Sequence, residues 1–341
     1  MWKITGRPCE AQGKQEISER FHSDPDHDMP VLTFGLRPVA PYRLDLTAWA
    51  LRRRGRNIVD RWDGSTYRRV VVIDGTPLEV VVTQIGSCER PRLTVTVFGR
   101  ARTEMRSTIT QLLVRMLGLR ADLKPFYIIA ARDRRLAPLV EEFRGLKPPR
   151  FPSIFEALVN AIACQQLSLT VGIELLNRVA IRCGPSISIA GAEQHAFPSA
   201  EDILRLKAQT FRQLGFSYGK AHSLLALAQE IVTGAFDPDQ MQVLDNTSAV
   251  ENLQKLHGVG RWTAEYVLLR GLGRIDTFPG DDVGARNRLA LWLGGNKPLD
   301  YDRVKRAVRR WQPYAGLVYF HLLLAGLTKS GEITREGTCL E

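Results

Sequence analysis

The stretch GRIDTFPGDDVGARNRL sets two adjacent aspartates, Asp281 and Asp282, behind a Pro279-Gly280 break and directly ahead of a helical pattern. Aspartate is favoured at a helix start, where its carboxylate accepts from N–H groups lacking an intrahelical partner and contributes about 1 kcal/mol. One aspartate suffices for that cap. A carboxylate held there also stays ionised, because the helix dipole and the amide donors favour its charged form. That suits a group meant to face developing positive charge. One helix earlier lies LHGVGRWTAEYVLLR, in which Gly258 and Gly260 permit a sharp backbone reversal and a second helix starts at once. The unpaired N–H groups of that helix face outward beside the turn and suit a phosphate, with Arg261 adding charge. A plain αα corner with a glycine cap explains the same glycines without any ligand. Trp262, Tyr266 and Arg270 follow at i, i+4 and i+8 on one stripe, a pattern shared by core faces and base-binding walls.

These groups need a scaffold, and 341 residues with 44% apolar content supply one with two domains, or one domain and a substantial appendage. No apolar run is long enough for a membrane span, and the N-terminus has no signal-peptide core, so a soluble, intracellular protein is expected. Cys9, Cys88, Cys164, Cys183 and Cys339 lie far apart, which argues against a disulfide framework and against zinc or iron–sulfur sites. The formal charge of +11 points to a polyanionic partner.

Residues 1–33 lack periodicity and read as a flexible tail. The β-branched runs RRVVVID, PLEVVVTQI and RLTVTVF, separated by DGT and GSCERP, predict an antiparallel sheet, with helices at TAWALRRR before it and STITQLLVRMLGL after it. This gives an α+β domain over 34–123. The run LRRRGR at 51–56 reads as a solvated helix end or an extension of a basic surface. From Lys124 the strand signal vanishes and 3.6-residue periodicity takes over, as at Phe155, Leu158 and Ile162 and again at Val171, Leu175 and Val179. An all-α domain is expected over 124–330, followed by a C-terminal tail, 331–341.

The hairpin, helix and aspartate pattern resembles the helix-hairpin-helix DNA glycosylases. More closely, LHGVGRWTAEYVLLRGLGRIDTFPGDDVGARNRL is similar to the AlkA-type 3-methyladenine DNA glycosylases II. FPSIFEALVNAIACQQLSLTVG, LGFSYGKAHSLLALA and WQPYAGLVYFHLLLAGL extend the likeness over residues 150–328. The resemblance implies a TBP-like α+β N-terminal domain, a helix-hairpin-helix glycosylase domain, and an enzyme that flips a damaged base from duplex DNA and hydrolyses its N-glycosidic bond. It makes Asp282 the catalytic carboxylate, with Asp281 as cap or support. Trp262, Tyr266 and Leu323 form the base pocket, Leu323 standing where the family can place an aromatic. Gly258, Val259, Gly260, Arg261 and Thr263 of the hairpin, with Gln165 and Gln166 of the CQQLS loop, contact DNA, and Gln166 occupies the place of an apolar wedge.

Relatives with lyase activity carry lysine at position 262, and tryptophan cannot form a Schiff base. The resemblance therefore implies a monofunctional enzyme. An aromatic wall would favour a base made cationic by alkylation, by about 0.5–2 kcal/mol. No cofactor is implied beyond a monovalent cation on the backbone carbonyls of Gln254, Leu256 and Val259, and no metal is held by side chains. The expected partner is double-stranded DNA with damaged bases, met by a monomer in the cytoplasm at the nucleoid, with no membrane involved. Two alternatives stay open: a glycosylase for oxidised or deaminated bases on the same fold, and a non-catalytic DNA-binding hairpin protein.

Overall fold

The computed structural model describes residues 30–333. Most of the segment read as an N-terminal tail, and most of the one read as a C-terminal tail, lie outside the described residues. The first strand starts at Pro30, four residues inside that expected tail.

Five antiparallel strands, β1 (Pro30–Leu36), β2 (Arg61–Trp62), β3 (Thr66–Ile73), β4 (Thr76–Ile85) and β5 (Arg92–Phe98), form a sheet of order β1-β5-β4-β3-β2. The three β-branched runs are β3, β4 and β5. The turn between β3 and β4 is Asp74-Gly75, both at positive φ, which is the twist a two-residue hairpin requires. β1 pairs with β5 from the edge. It opens on a proline and its sequence, PVLTFGL, does not alternate cleanly between apolar and polar, so tertiary pairing rather than periodicity defines it. Helices α1 (Leu44–Arg52) and α2 (Met105–Met116) accompany the sheet, and Ile109, Leu113 and Met116 join Val80, Val82, Val95 and Val97 in its core.

The remaining helices are α3 (Lys124–Ala131), α4 (Leu136–Glu142), α5 (Ile154–Cys164), α6 (Leu169–Cys183), α7 (Ala200–Leu204), α8 (Ala208–Gln213), α9 (Tyr218–Val232), α10 (Asn246–Leu253), α11 (Arg261–Val267), α12 (Val283–Trp292), α13 (Tyr301–Val308) and α14 (Ala315–Lys329). This region also holds a hairpin, β6 (Ser186–Ile189) with β7 (Ala192–His195), which the expectation of purely helical structure did not contain. Each strand has four residues, too few for alternation to stand out. Ala190 and Gly191, both at positive φ, close the turn.

Two helices dominate the helical core. In α5 every residue from Ile154 to Ala163 is buried, and in α14 every residue from Ala315 to Leu324. A helix apolar all round must run through an interior. Inside α14, His321 is 1% exposed, packs against the rings of Phe126 and Phe143, and its Nδ1 donates to the Leu317 carbonyl at 2.7 Å. Burial pulls its pKa down from 6.5 to about 4. A histidine depressed in the folded state contributes stability that is full above its unfolded pKa and is lost as pH falls toward the folded one. Lowering the pH from 6.5 to about 4 should therefore remove up to about 3 kcal/mol. Chemical denaturation across that window should show a smaller loss for His321→Leu, and an equal loss in both proteins would refute the assignment.

Candidate active site

A cavity of about 850 Å³ opens where α11, the start of α12, α14 and the loop between α5 and α6 converge, with Arg53 and Arg54 reaching in behind α1. It brings Asp282, Trp262, Tyr266, Leu323, Gln165, Gln166 and Gly260 together. A second cavity, of about 770 Å³, lies between β3, α2 and α7, and its charged Arg69 and Glu156 are already bonded to each other. The chemistry belongs to the first.

Asp282 is itself the cap of α12: its Oδ1 accepts the Ala285 N–H at 2.7 Å. This corrects the assignment of capping to Asp281. The other oxygen, Oδ2, accepts from the Tyr319 hydroxyl at 3.1 Å and from Trp262 Nε1 at 3.4 Å. One carboxylate thus ends the helix and presents an oxygen to the cavity. Burial, and then the neighbouring Asp282 charge, push the Tyr319 hydroxyl well above the usual tyrosine range, so it stays a donor. Asp281 instead pairs with Arg261, with both Nε and Nη2 at 2.7 Å, and the guanidinium lies 3.6 Å above the Tyr301 ring centre. Arg261 steadies the aspartate loop from the hairpin side.

The loop is held from beneath by Glu265, 4% exposed, which accepts from the Gly280 N–H at 2.9 Å, the Tyr301 hydroxyl at 2.7 Å and Lys305 Nζ at 2.8 Å. Gly280 is there because a Cβ would meet the Tyr301 ring at 2.7 Å. Helix α11 passes into a single π turn, Leu268–Leu272, and the chain leaves it through Gly273 at φ 77°. Such a turn rotates the residues beyond it about the helix axis. Arg270 still faces the Tyr266 ring, its guanidinium 5.7 Å from the ring centre, but it is fully buried and donates to the Ala50 carbonyl at 2.8 Å.

Gly258 sits at φ 79°, and a Cβ there would meet Ser223 Oγ at 2.2 Å, so this glycine is fixed by the fold. Around Gly260 a Cβ would meet nothing within 4 Å. The side chains of Val259 and Thr263 are 6% and 1% exposed and pack in the interior, so any contact from these two positions runs through their backbone. Gln165 Nε2 donates to the Gly258 carbonyl at 2.8 Å and to Thr263 Oγ1 at 3.0 Å, tying its loop to the hairpin. Gln166 is exposed at φ 53°, and Leu167 beside it is 42% exposed.

Among the cavity residues that escaped the sequence reading are Leu167, Tyr319 and Arg53. Leu167 was hidden by its polar neighbours. Tyr319 stands one turn before Leu323 on α14 and supplies the aromatic ring that Leu323 lacks. Arg53 lies in the run read as a solvated helix end, yet it is 3% exposed and caps α1 at φ 62°, a conformation that costs an arginine roughly 1 kcal/mol. Its Nη1 donates to the Tyr266 hydroxyl at 2.8 Å and its Nη2 bonds Asn160 Oδ1. No short motif announces it. Among the described residues no group of three or more His, Cys, Asp or Glu side chains is arranged to hold a metal, and no helix is long and apolar enough to cross a membrane.

Residues 159–313 match the HhH-GPD superfamily of base excision DNA repair proteins, so the chain carries a domain of that superfamily. Within it, the chain is 28% identical over 217 residues to a DNA-3-methyladenine glycosylase of Bacillus subtilis, covering 64% of this chain and 72% of the relative. A 3-methyladenine DNA glycosylase from Archaeoglobus fulgidus shares the fold with TM-score 0.76 and 26% identity, over 87% of this chain and 99% of that one. The Schizosaccharomyces pombe enzyme Mag1, solved with abasic DNA, matches with TM-score 0.52 and 26% identity, over 62% and 100% of the two chains.

Glu265→Leu should leave three donors around Gly280 without their acceptor and cost about 3 kcal/mol. If the residue positions the aspartate loop, the folded variant keeps its duplex affinity and loses catalytic rate. A parallel loss of both would remove that role.

Proposed function

We propose that this chain is a monofunctional DNA glycosylase that flips alkylated purines, such as 3-methyladenine and 7-methylguanine, out of duplex DNA and hydrolyses the N-glycosidic bond to leave an abasic site. The Asp282 carboxylate carries the reading: one oxygen is spent on the helix cap, and the other is offered to an aromatic-walled cavity large enough for a purine nucleotide. As the glycosidic bond breaks, its electron pair leaves with the base and positive charge develops on the sugar. A carboxylate already fixed by three donors stabilises that charge without reorganising, and orients or activates the water that adds to the sugar. Alkylation of a ring nitrogen makes the base a good leaving group, so the protein needs to supply only part of the rate.

Absence of lyase chemistry rests on the lack of an amine nucleophile. Trp262 occupies the lysine position of lyase relatives, and none of the residues lining the cavity is a lysine. Lys220 spends its ammonium on the carbonyls of Ala163 and Gln165, at 2.9 and 2.6 Å. On the DNA side, the start of α11 at Gly260 is open for a phosphate. Gln166 and Leu167 project from the loop beside the cavity mouth, and Leu167 is the apolar residue suited to fill the gap left by a flipped base. A monovalent cation on the carbonyls of Gln254, Leu256 and Val259 belongs to the same proposal. The Leu256 carbonyl accepts the Val259 N–H at 3.1 Å and keeps a second lone pair for such an ion.

Purified protein should release methylpurines from methylated duplex DNA, with no strand cleavage and no adduct trapped by borohydride. Asp282→Asn should lower release on the order of a hundredfold or more while duplex binding persists. Undiminished release by the folded variant would leave a DNA-binding hairpin protein as the better reading. Gly260→Leu should weaken binding to damaged and undamaged duplexes alike, by about tenfold, without lowering thermal stability. Unchanged affinity would remove the phosphate site.

A further inference from the structure

Arg288 lines the cavity six residues beyond Asp282 on α12, and nothing answers its charge. Among the described residues it makes no ion pair and no hydrogen bond, and its Nε is shielded from solvent without a partner. Two glycines clear its place. A Cβ on Gly326 of α14 would meet Arg288 Cδ at 2.8 Å, and one on Gly284 would stand 3.4 Å from both Nη atoms and 3.4 Å from Asp282 Oδ1. The guanidinium thus lies beside the carboxylate without pairing with it. Arg54 lines the same cavity. It donates through Nε to Thr170 Oγ1 at 3.1 Å and through Nη1 to the Arg53 carbonyl at 3.0 Å, and Nη2 makes no hydrogen bond among the described residues. Burial, opposed by the Glu332 carboxylate and reinforced by the charges of Arg288 and Arg53, pulls the Arg54 pKa below the usual arginine range. That carboxylate rests 3.9 Å from Arg54 Nε and accepts the Gly55 N–H at 3.0 Å, so an anion already occupies the edge of this basic spot.

Along α14 the cavity wall runs through Tyr319, Leu323, Gly326 and Ser330, from buried to exposed. Arg288 stands at Gly326, two turns or about 10 Å of helix outward of Tyr319. With a base on Trp262 and Tyr266 and its sugar at Asp282, the next group outward is a phosphate. A phosphodiester brings a full negative charge and two oxygens that match a guanidinium fork. We infer that Arg288 and Arg54 form a clamp at the cavity mouth for the backbone phosphate next to the flipped nucleotide. The inference rests on the glycosylase reading above and deepens it. That phosphate reaches the mouth only when its nucleotide has left the stack, so the clamp favours the flipped state rather than duplex binding in general. A phosphate on Arg288 also occupies the guanidinium that would otherwise compete with the sugar for the Asp282 carboxylate. Arg54 belongs to the segment after α1, so the N-terminal domain takes part in holding the extruded strand.

The test is equilibrium binding to two duplexes of one sequence, one undamaged and one carrying a tetrahydrofuran abasic analogue, at several salt concentrations, for wild type, Arg288→Met, Arg54→Met and Arg288→Lys. On the analogue duplex each methionine variant should bind about tenfold more weakly, and its plot of log affinity against log salt should be shallower by about one, because one phosphate contact is gone. On the undamaged duplex the loss should be about twofold or less, with the slope unchanged. Arg288→Lys keeps a point charge without the fork, should restore the slope and only part of the affinity, and carries the test if Arg288→Met does not fold. The two duplexes are compared within one preparation, so a reduced folded fraction cancels. An unchanged slope on the analogue duplex, or an equal loss on both duplexes, would overturn the inference. So would slower methylpurine release at saturating DNA with affinity unchanged, which would make Arg288 act on Asp282 instead. The analogue has no base to release, so the two readings separate: a wild type that follows the binding pattern but releases no methylpurine would remove the glycosylase reading and keep the phosphate clamp.

Discussion

Three buried guanidiniums hold the N-terminal layer against the helical domain, and the active site depends on that joint. Arg69 of β3 bonds Asp60 at 2.7 Å and Glu156 of α5 at 2.6 Å, with the Tyr67 hydroxyl on the same aspartate. Arg53 crosses from α1 to Tyr266 and Asn160, and Arg270 crosses back from the end of α11 to the α1 carbonyls. Removing one partner of a buried charged pair costs about 3–5 kcal/mol, although replacing the whole set by apolar groups can be neutral. What the charges add is direction, since hydrogen bonds with fixed geometry allow one docking where a greasy interface allows several. Helices α5 and α11 carry the buried end of the cavity, so the same docking that closes the interface also shapes the pocket.

The aspartate is a second case of one group answering two demands. Its cap to Ala285 fixes the start of α12, which fixes the carboxylate, and Glu265 fixes the turn from the other side. Rigidity here has a chemical reason. In the role proposed for it, the carboxylate stabilises a fleeting cation and must already point at it, because reorganising would cost part of the energy it supplies. The hairpin reinforces this through Arg261, which pairs with Asp281 at 2.7 Å.

Much of this was legible in the sequence, and the legible parts share a property: they are local. The hairpin glycines, the aspartate pair and the β-branched runs each state their geometry within a few residues. Trp262, Tyr266, Leu323 and Asp282 come together in one cavity as the resemblance implied. What was not legible depends on contacts between distant segments. Thr263 and Val259 sit at the hairpin but point inward, and local spacing cannot say which way. Arg270 continues the helical stripe to Tyr266, but nothing local says that its guanidinium ends buried on the carbonyls of α1. The run LRRRGR has the composition of a solvent-facing end, and only the packing of α1 against β2, β3 and α14 turns Arg53 inward to Asn160 of α5 and Tyr266 of α11. The hairpin β6–β7 is too short for alternation to show, and the edge strand β1 does not alternate cleanly, so pairing makes both of them strands.

The inward arginine changes what the two domains mean for each other. Arg53 sets a fixed donor from the other domain at the buried end of the cavity, where it bonds Tyr266 and Asn160. The arginine must then tolerate a left-handed backbone and incomplete hydrogen bonding, both unfavourable to folding. A glycine would fit the α1 cap with less strain, but it would leave Tyr266 and Asn160 without their donor and the cavity without its charge. Strain of this kind persists where the surrounding structure over-determines a conformation. Here the determinants are the α1 cap, the Tyr266 hydroxyl and the Asn160 amide, which belong to three different helices and meet only once the domains have docked.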